Sequence, residues 1–169
     1  QTTPPMKQNT AGIPQAWPQR LIAFGAAWLF ASVWGSLVQT QFNLNALTAL
    51  GVEIAPALRL QTTLQDLLGF GPAYAGIVLM AWLPAFAAAA WLARRQPAWR
   101  LSGYGLAAGV GLVVAIRSID ALAPMPVLID ATRQLSGLLA MTLGSVLAGL
   151  AFAHWTRHRM APSGRAAPG

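Results

Sequence analysis

Arg117 and Asp120 stand three positions apart, as do Asp130 and Arg133, and the short segment between the two pairs carries Pro124 and Pro126. On helices joined by a tight turn this spacing puts each pair on one face and lets the four groups meet as a charge-balanced cluster. Glu53, Arg59 and Asp66 fall on the same side of the apolar segments and can lie above that cluster. Such an arrangement has two uses. It can receive an ion, a proton or a head group, or it can be a structural network that pins a turn while its arginines reach water. The structural use is the expectation, because none of these groups is central in an apolar segment, where a carboxylate that handles ions is expected.

His154 and His158 have the i, i+4 spacing of two metal ligands on one helix face. Every acidic residue falls in other gaps of the chain, so further ligands are missing and the histidines are expected to decorate a helix end. No serine elbow, P-loop or dinucleotide fingerprint occurs. Cysteine is absent, which removes thiolate nucleophiles, disulfide exchange and thiolate metal sites. The chain is therefore expected not to be an enzyme by itself, with no metal and no cofactor held by it alone.

These groups sit on a scaffold whose solvent is mostly lipid. Hydrophobic residues make up 56% of the chain and charged ones only 9%, where a soluble domain carries about a quarter. The formal charge of +7 is scattered singly at segment ends and forms no basic stripe with stacking aromatics, which argues against nucleic acid. The expected fold is an all-α integral membrane protein with four transmembrane helices, at about 20–40, 72–94, 101–122 and 133–156. Together they form a domain over residues 19–156, between tails at 1–18 and 157–169. Leu60, Leu64, Leu67 and Leu68 recur at helical spacing among polar residues, so a separate amphipathic helix is expected on the outer surface at about 57–69, with Gly71 and Pro72 opening the second crossing. The polar run from Gln39 to Asn45 is expected to satisfy backbone where the first helix emerges.

Charge orients the bundle. Lys7, Arg20, Arg94, Arg95, Arg100, Arg157, Arg159 and Arg165 lie on one side, whereas Arg59, Arg117 and Arg133 share the other with all four acidic residues. Both termini are thus expected in the cytoplasm of a bacterial inner membrane, the bacterial source being suggested by ten arginines against one lysine among the 11 basic residues. Lys7 and Arg20 before an apolar run resemble a signal peptide, but the bulk of Trp28 and Trp34 and the lack of a small-residue cleavage site favour an uncleaved helix. Met6 before Lys7 looks like a natural start, which would make residues 1–5 an upstream remnant.

Trp17, Trp91, Trp99, Tyr104 and Trp155 are expected to form an interfacial belt. Trp28 and Trp82 fall near mid-membrane, where they either fill the core or touch a hydrophobic ligand such as a quinone, pigment or lipid tail. Because lipid gives no hydrophobic drive between helices, close approach must come from small residues: Gly105 and Gly109, Ser32 and Ser36, Ser145 and Gly149. The resulting expectation is a non-catalytic accessory, scaffold or anchor subunit of a larger bacterial membrane complex, one of redox or photosynthetic electron transfer being a candidate. Its partners are then the bilayer and other membrane subunits. The alternative is a small homo-oligomeric transporter that uses the polar cluster near the outer face.

Overall fold

The computed structural model describes residues 16–122 and 130–157. They form α1 (Ala16–Ala49), α2 (Pro56–Arg95), α3 (Arg100–Leu122) and α4 (Leu135–Arg157), with 3-10 turns at Pro97–Trp99 and Asp130–Arg133 and no strand among the described residues. All four helices are long and apolar enough to cross a membrane. Each packs against its neighbours in sequence, and α1 closes the ring against α4.

The composition of the interior follows from the absence of a hydrophobic drive in lipid. Ala27, Ala31, Ala81, Ala108 and Ala148 are buried, while Leu29, Leu83, Leu106, Leu139 and Leu143 face outward, where acyl chains solvate them. Small residues let the backbones approach, and aromatic rings fill what remains. The ring of Tyr74 on α2 lies in the space a side chain on Gly35 of α1 would occupy, and Trp34 of α1 lies in the corresponding space at Gly144 of α4. A methyl group on Gly109 would come within 2.6 Å of Val146, and one on Gly105 within 2.8 Å of Leu150, so helices 3 and 4 meet along that glycine pair.

Polar contacts then fix the register. Trp28 Nε1 donates to the carbonyl of Ala75 at 2.8 Å and Trp34 Nε1 to that of Ala140 at 2.9 Å. In the centre, Trp82 Nε1 donates to Ser145 Oγ at 3.0 Å, and Ser145 donates onward to the carbonyl of Ala108 at 2.9 Å. Three helices are tied by that one hydroxyl. With the nearest donors and acceptors in lipid absent, each such bond also removes the cost of leaving a polar group unpaired.

The connection between the first two crossings differs from the sequence expectation. No separate surface helix exists at 57–69: α2 runs without interruption from Pro56 to Arg95, and α1 continues through the polar run to Ala49, leaving only 50–55 as a turn. Gly71 and Pro72 lie inside α2 and do not start it. Proline there removes the donor that would reach the carbonyl of Leu68, one bond of the ladder, and the helix continues through it. Gly71 faces Ser36 of α1, where an added methyl group would lie in ordinary contact at 3.8 Å. Gly51, with φ of 86°, supplies the left-handed residue that reverses the chain.

At 1.5 Å per residue, the 34 residues of α1 and the 40 of α2 measure about 51 and 60 Å, against about 35 Å for the 23 residues of α3 and of α4. Arg20, Arg94, Arg100 and Arg157 line one cavity, so the helices are level at that end. The excess therefore projects from the opposite end as a two-helix hairpin beyond α3 and α4. The fourth helix also starts later than expected: residues 130–133 are a 3-10 turn, and Gly137 carries no side chain where the Ala131 backbone crosses it.

Candidate functional site

The two ends of the bundle differ in their chemistry. At the hairpin end, Gln39 of α1 is buried and its Oε1 accepts the Ala131 N–H at 2.9 Å, which pins the turn before α4 to α1. Beyond this level Arg59 of α2 donates to Gln41 Oε1 and Asn45 Oδ1, both at 3.1 Å, and Gln41 Nε2 donates to Thr63 Oγ1 at 3.2 Å. The amides of the polar run thus serve as acceptors for an arginine on the facing helix, within a helix and not at its exit. Thr40 and Thr48 return their hydroxyls to the carbonyls of Ser36 and Leu44, which satisfies these polar groups within α1.

The residues of the predicted charge cluster lie at this end of the bundle, and no contact joins two of them among the described side chains. Arg59 is held by amides, Glu53 lies in the hairpin turn, and Asp66 is half-buried on α2. Arg117 is exposed in the last turns of α3, while Asp120 buries Oδ1 with no hydrogen-bond partner. Asp130 and Arg133 belong to the turn before α4, and their side chains lie outside what is described, as does His158. His154 is exposed near the end of α4. Among the described residues no three histidine, aspartate or glutamate side chains are grouped as a metal site would need.

The opposite end is rich in arginine. A cavity of about 720 Å³ opens there among all four helices, lined by Arg20 of α1, Arg94 of α2, Arg100 of α3 and Arg157 of α4. Tyr104 and Phe152 also line it. They belong to a cluster in which Phe24, Phe86, Tyr104 and Phe152, one from each helix, meet at centroid separations of 5.1 to 6.2 Å, and Trp82 stacks on Phe86 at 4.8 Å. Tyr104 was expected in the interfacial belt and is instead 7% exposed, facing inward. Trp17, Trp91, Trp99 and Trp155 are all exposed at this end, and Arg95 lies 4.6 Å above the Trp91 ring.

Arg100 is held on two sides. Its Nη2 donates to Thr156 Oγ1 at 2.6 Å, its guanidinium lies 5.6 Å from the Tyr104 ring, and its Nε is buried without a partner. Nothing in the sequence spacing singled out this convergence, because the four arginines come from four different helices. Trp28 and Trp82, the two candidates for ligand contact, have their indole N–H groups bonded within the bundle, and Trp82 is fully buried. A second, apolar groove of about 620 Å³ runs between α2 and α3 past Pro84, Ala88, Ala107 and Gly111. No protein-family model matches the chain, and no curated protein or solved structure is detectably similar to it.

Proposed function

We propose that the protein is a non-catalytic accessory or scaffold subunit of a larger assembly in a bacterial cytoplasmic membrane, oriented with both termini inside. The observation that carries this reading is the projecting hairpin. Leu50, Leu58, Leu60 and Leu64 are exposed there, beyond the level where α3 and α4 end, so neither the bundle nor the span of those shorter helices covers them. Apolar surface held on a rigid helical pair outside the hydrocarbon layer is surface for another protein. The polar residues of the membrane interior support the same reading, since the indole and hydroxyl groups there hold helices together.

Purification from native membranes in a mild detergent, with identification of co-migrating chains, tests this function. The wild type should leave the column with stoichiometric partners, and the double variant Leu60→Ser, Leu64→Ser should lose them at unchanged expression. Isolation of the wild type as a lone monomer or homodimer sinks the proposal. One observation favours the alternative of a small homo-oligomeric transporter: the Asp120 oxygen that is buried without a donor. That reading requires Asp120→Asn to abolish flux in proteoliposomes while the protein still inserts and folds.

A further inference from the structure

We propose that the cavity at the arginine-rich end is a binding site for a phosphate-bearing anion. The argument begins with charge. Arg20, Arg94, Arg100 and Arg157 reach one space from four separate helices. Arginine stays protonated in proteins, so the cavity wall carries positive charge that loss of a proton cannot relieve. No acidic side chain belongs to the helix ends that form this cavity. The chain's only acidic residues are Glu53 in the hairpin turn, Asp66 in the projecting part of α2, Asp120 in the last turn of α3 and Asp130 before α4, all at the other end of the bundle.

Decoration by positive residues at a cytoplasmic surface explains scattered arginines, and Arg95 is such a residue, stacked on Trp91. It does not explain convergence on a cavity. Neither does it explain Arg100, which lines that cavity half-buried, with Nη2 bonded to Thr156 and the guanidinium 5.6 Å from the Tyr104 ring. An arginine anchored through one of its five N–H donors keeps the others for an oxyanion, and planar forks of this kind match phosphate geometry. The volume of about 720 Å³ suits a head group, being within the range of small-molecule sites. The floor is apolar and aromatic at Tyr104 and Phe152, which suits the first carbons behind a phosphate. Basic pockets between transmembrane helices recognise anionic head groups by this chemistry.

The test uses the full chain purified in neutral detergent, with bound lipid counted by native mass spectrometry and thermal stability followed by tryptophan fluorescence. Phosphatidylglycerol, phosphatidylcholine and inorganic phosphate are added separately, with chloride matching the ionic strength. The wild type should retain phosphatidylglycerol about tenfold better than phosphatidylcholine. Arg94→Gln should remove that preference and Arg95→Gln should not, although each deletes one charge from adjacent positions. Arg94 and Arg157 are both exposed, so Arg157→Gln provides a second variant whose folding is not at risk. If inorganic phosphate stabilises the wild type but not Arg94→Gln, and the lipid has no effect, the site stands and its ligand is a free phosphate. Equal losses in Arg94→Gln and Arg95→Gln, or no preference of the wild type for either phosphate source over its control, overturn the proposal. The outcome is independent of whether the hairpin docks a partner.

Discussion

Ser145 carries more of the interior than its size suggests. Its hydroxyl accepts from Trp82 on α2 and donates to the Ala108 carbonyl on α3, both within a fully buried environment. Ser145→Ala leaves the Trp82 N–H without an acceptor in a region that water does not reach, and should lower stability by about 1 to 3 kcal/mol. Trp82→Phe removes the donor and keeps the bond to Ala108, so its polar loss is smaller, although it also removes ring volume. The double variant should be less destabilised than the sum of the singles, because the second change removes the group that the first left unpaired. Thermal midpoints in one detergent measure all three, and strict additivity would show that the bond is not formed. Gly144→Ala tests the other kind of residue-scale constraint. Its added methyl group meets the Trp34 ring and should cost about 1 to 3 kcal/mol by overpacking, whereas Gly103→Ala, with nothing within 4 Å, should be tolerated.

At the scale of elements, the projecting hairpin should depend on Arg59. It is the donor that binds Gln41 and Asn45, one helical turn apart on the facing helix. Arg59→Ala should raise amide hydrogen exchange about tenfold in residues 40–49 and 56–66, and leave 138–153 unchanged. The four long apolar helices were legible because length and uniform apolarity decide them without reference to any partner. The hairpin was not. Gly71 and Pro72 read as a helix start, since proline suits a first turn, but a proline costs an established helix only one bond of its ladder, and α2 passes through both. Likewise the amides at 39–45 favour loops in isolation, and become helix residues once Arg59 and the Ala131 N–H supply partners from distant sequence. The glycine pair on α3 was visible as a packing stripe, but which rings enter Gly35 and Gly144 depends on pairings of helices that spacing within one helix does not encode.

For the whole molecule, the decisive quantity is the direction in which the charge asymmetry points across the bilayer. Among the described residues the basic cavity and the exposed tryptophans lie at one end, and the hairpin with Glu53 and Asp66 lies at the other. Translocation keeps arginine-rich short segments inside, so the turn at 96–99 should face the cytoplasm and the hairpin turn at 50–55 the outside. The chain contains no cysteine, which makes the test direct because any introduced thiol is the only one. Leu50→Cys alters a residue that is 82% exposed at the hairpin tip, and Gln96→Cys an exposed one between α2 and α3. A membrane-impermeant maleimide added to intact spheroplasts should label the first, and should label the second only after the membrane is permeabilised. The reverse pattern would place the phosphate-sized cavity on the outer surface and the apolar hairpin in the cytoplasm. The docking partner and the ligand would then have to be sought on the opposite sides, because a bundle with its two ends this unlike cannot serve both faces with the same chemistry.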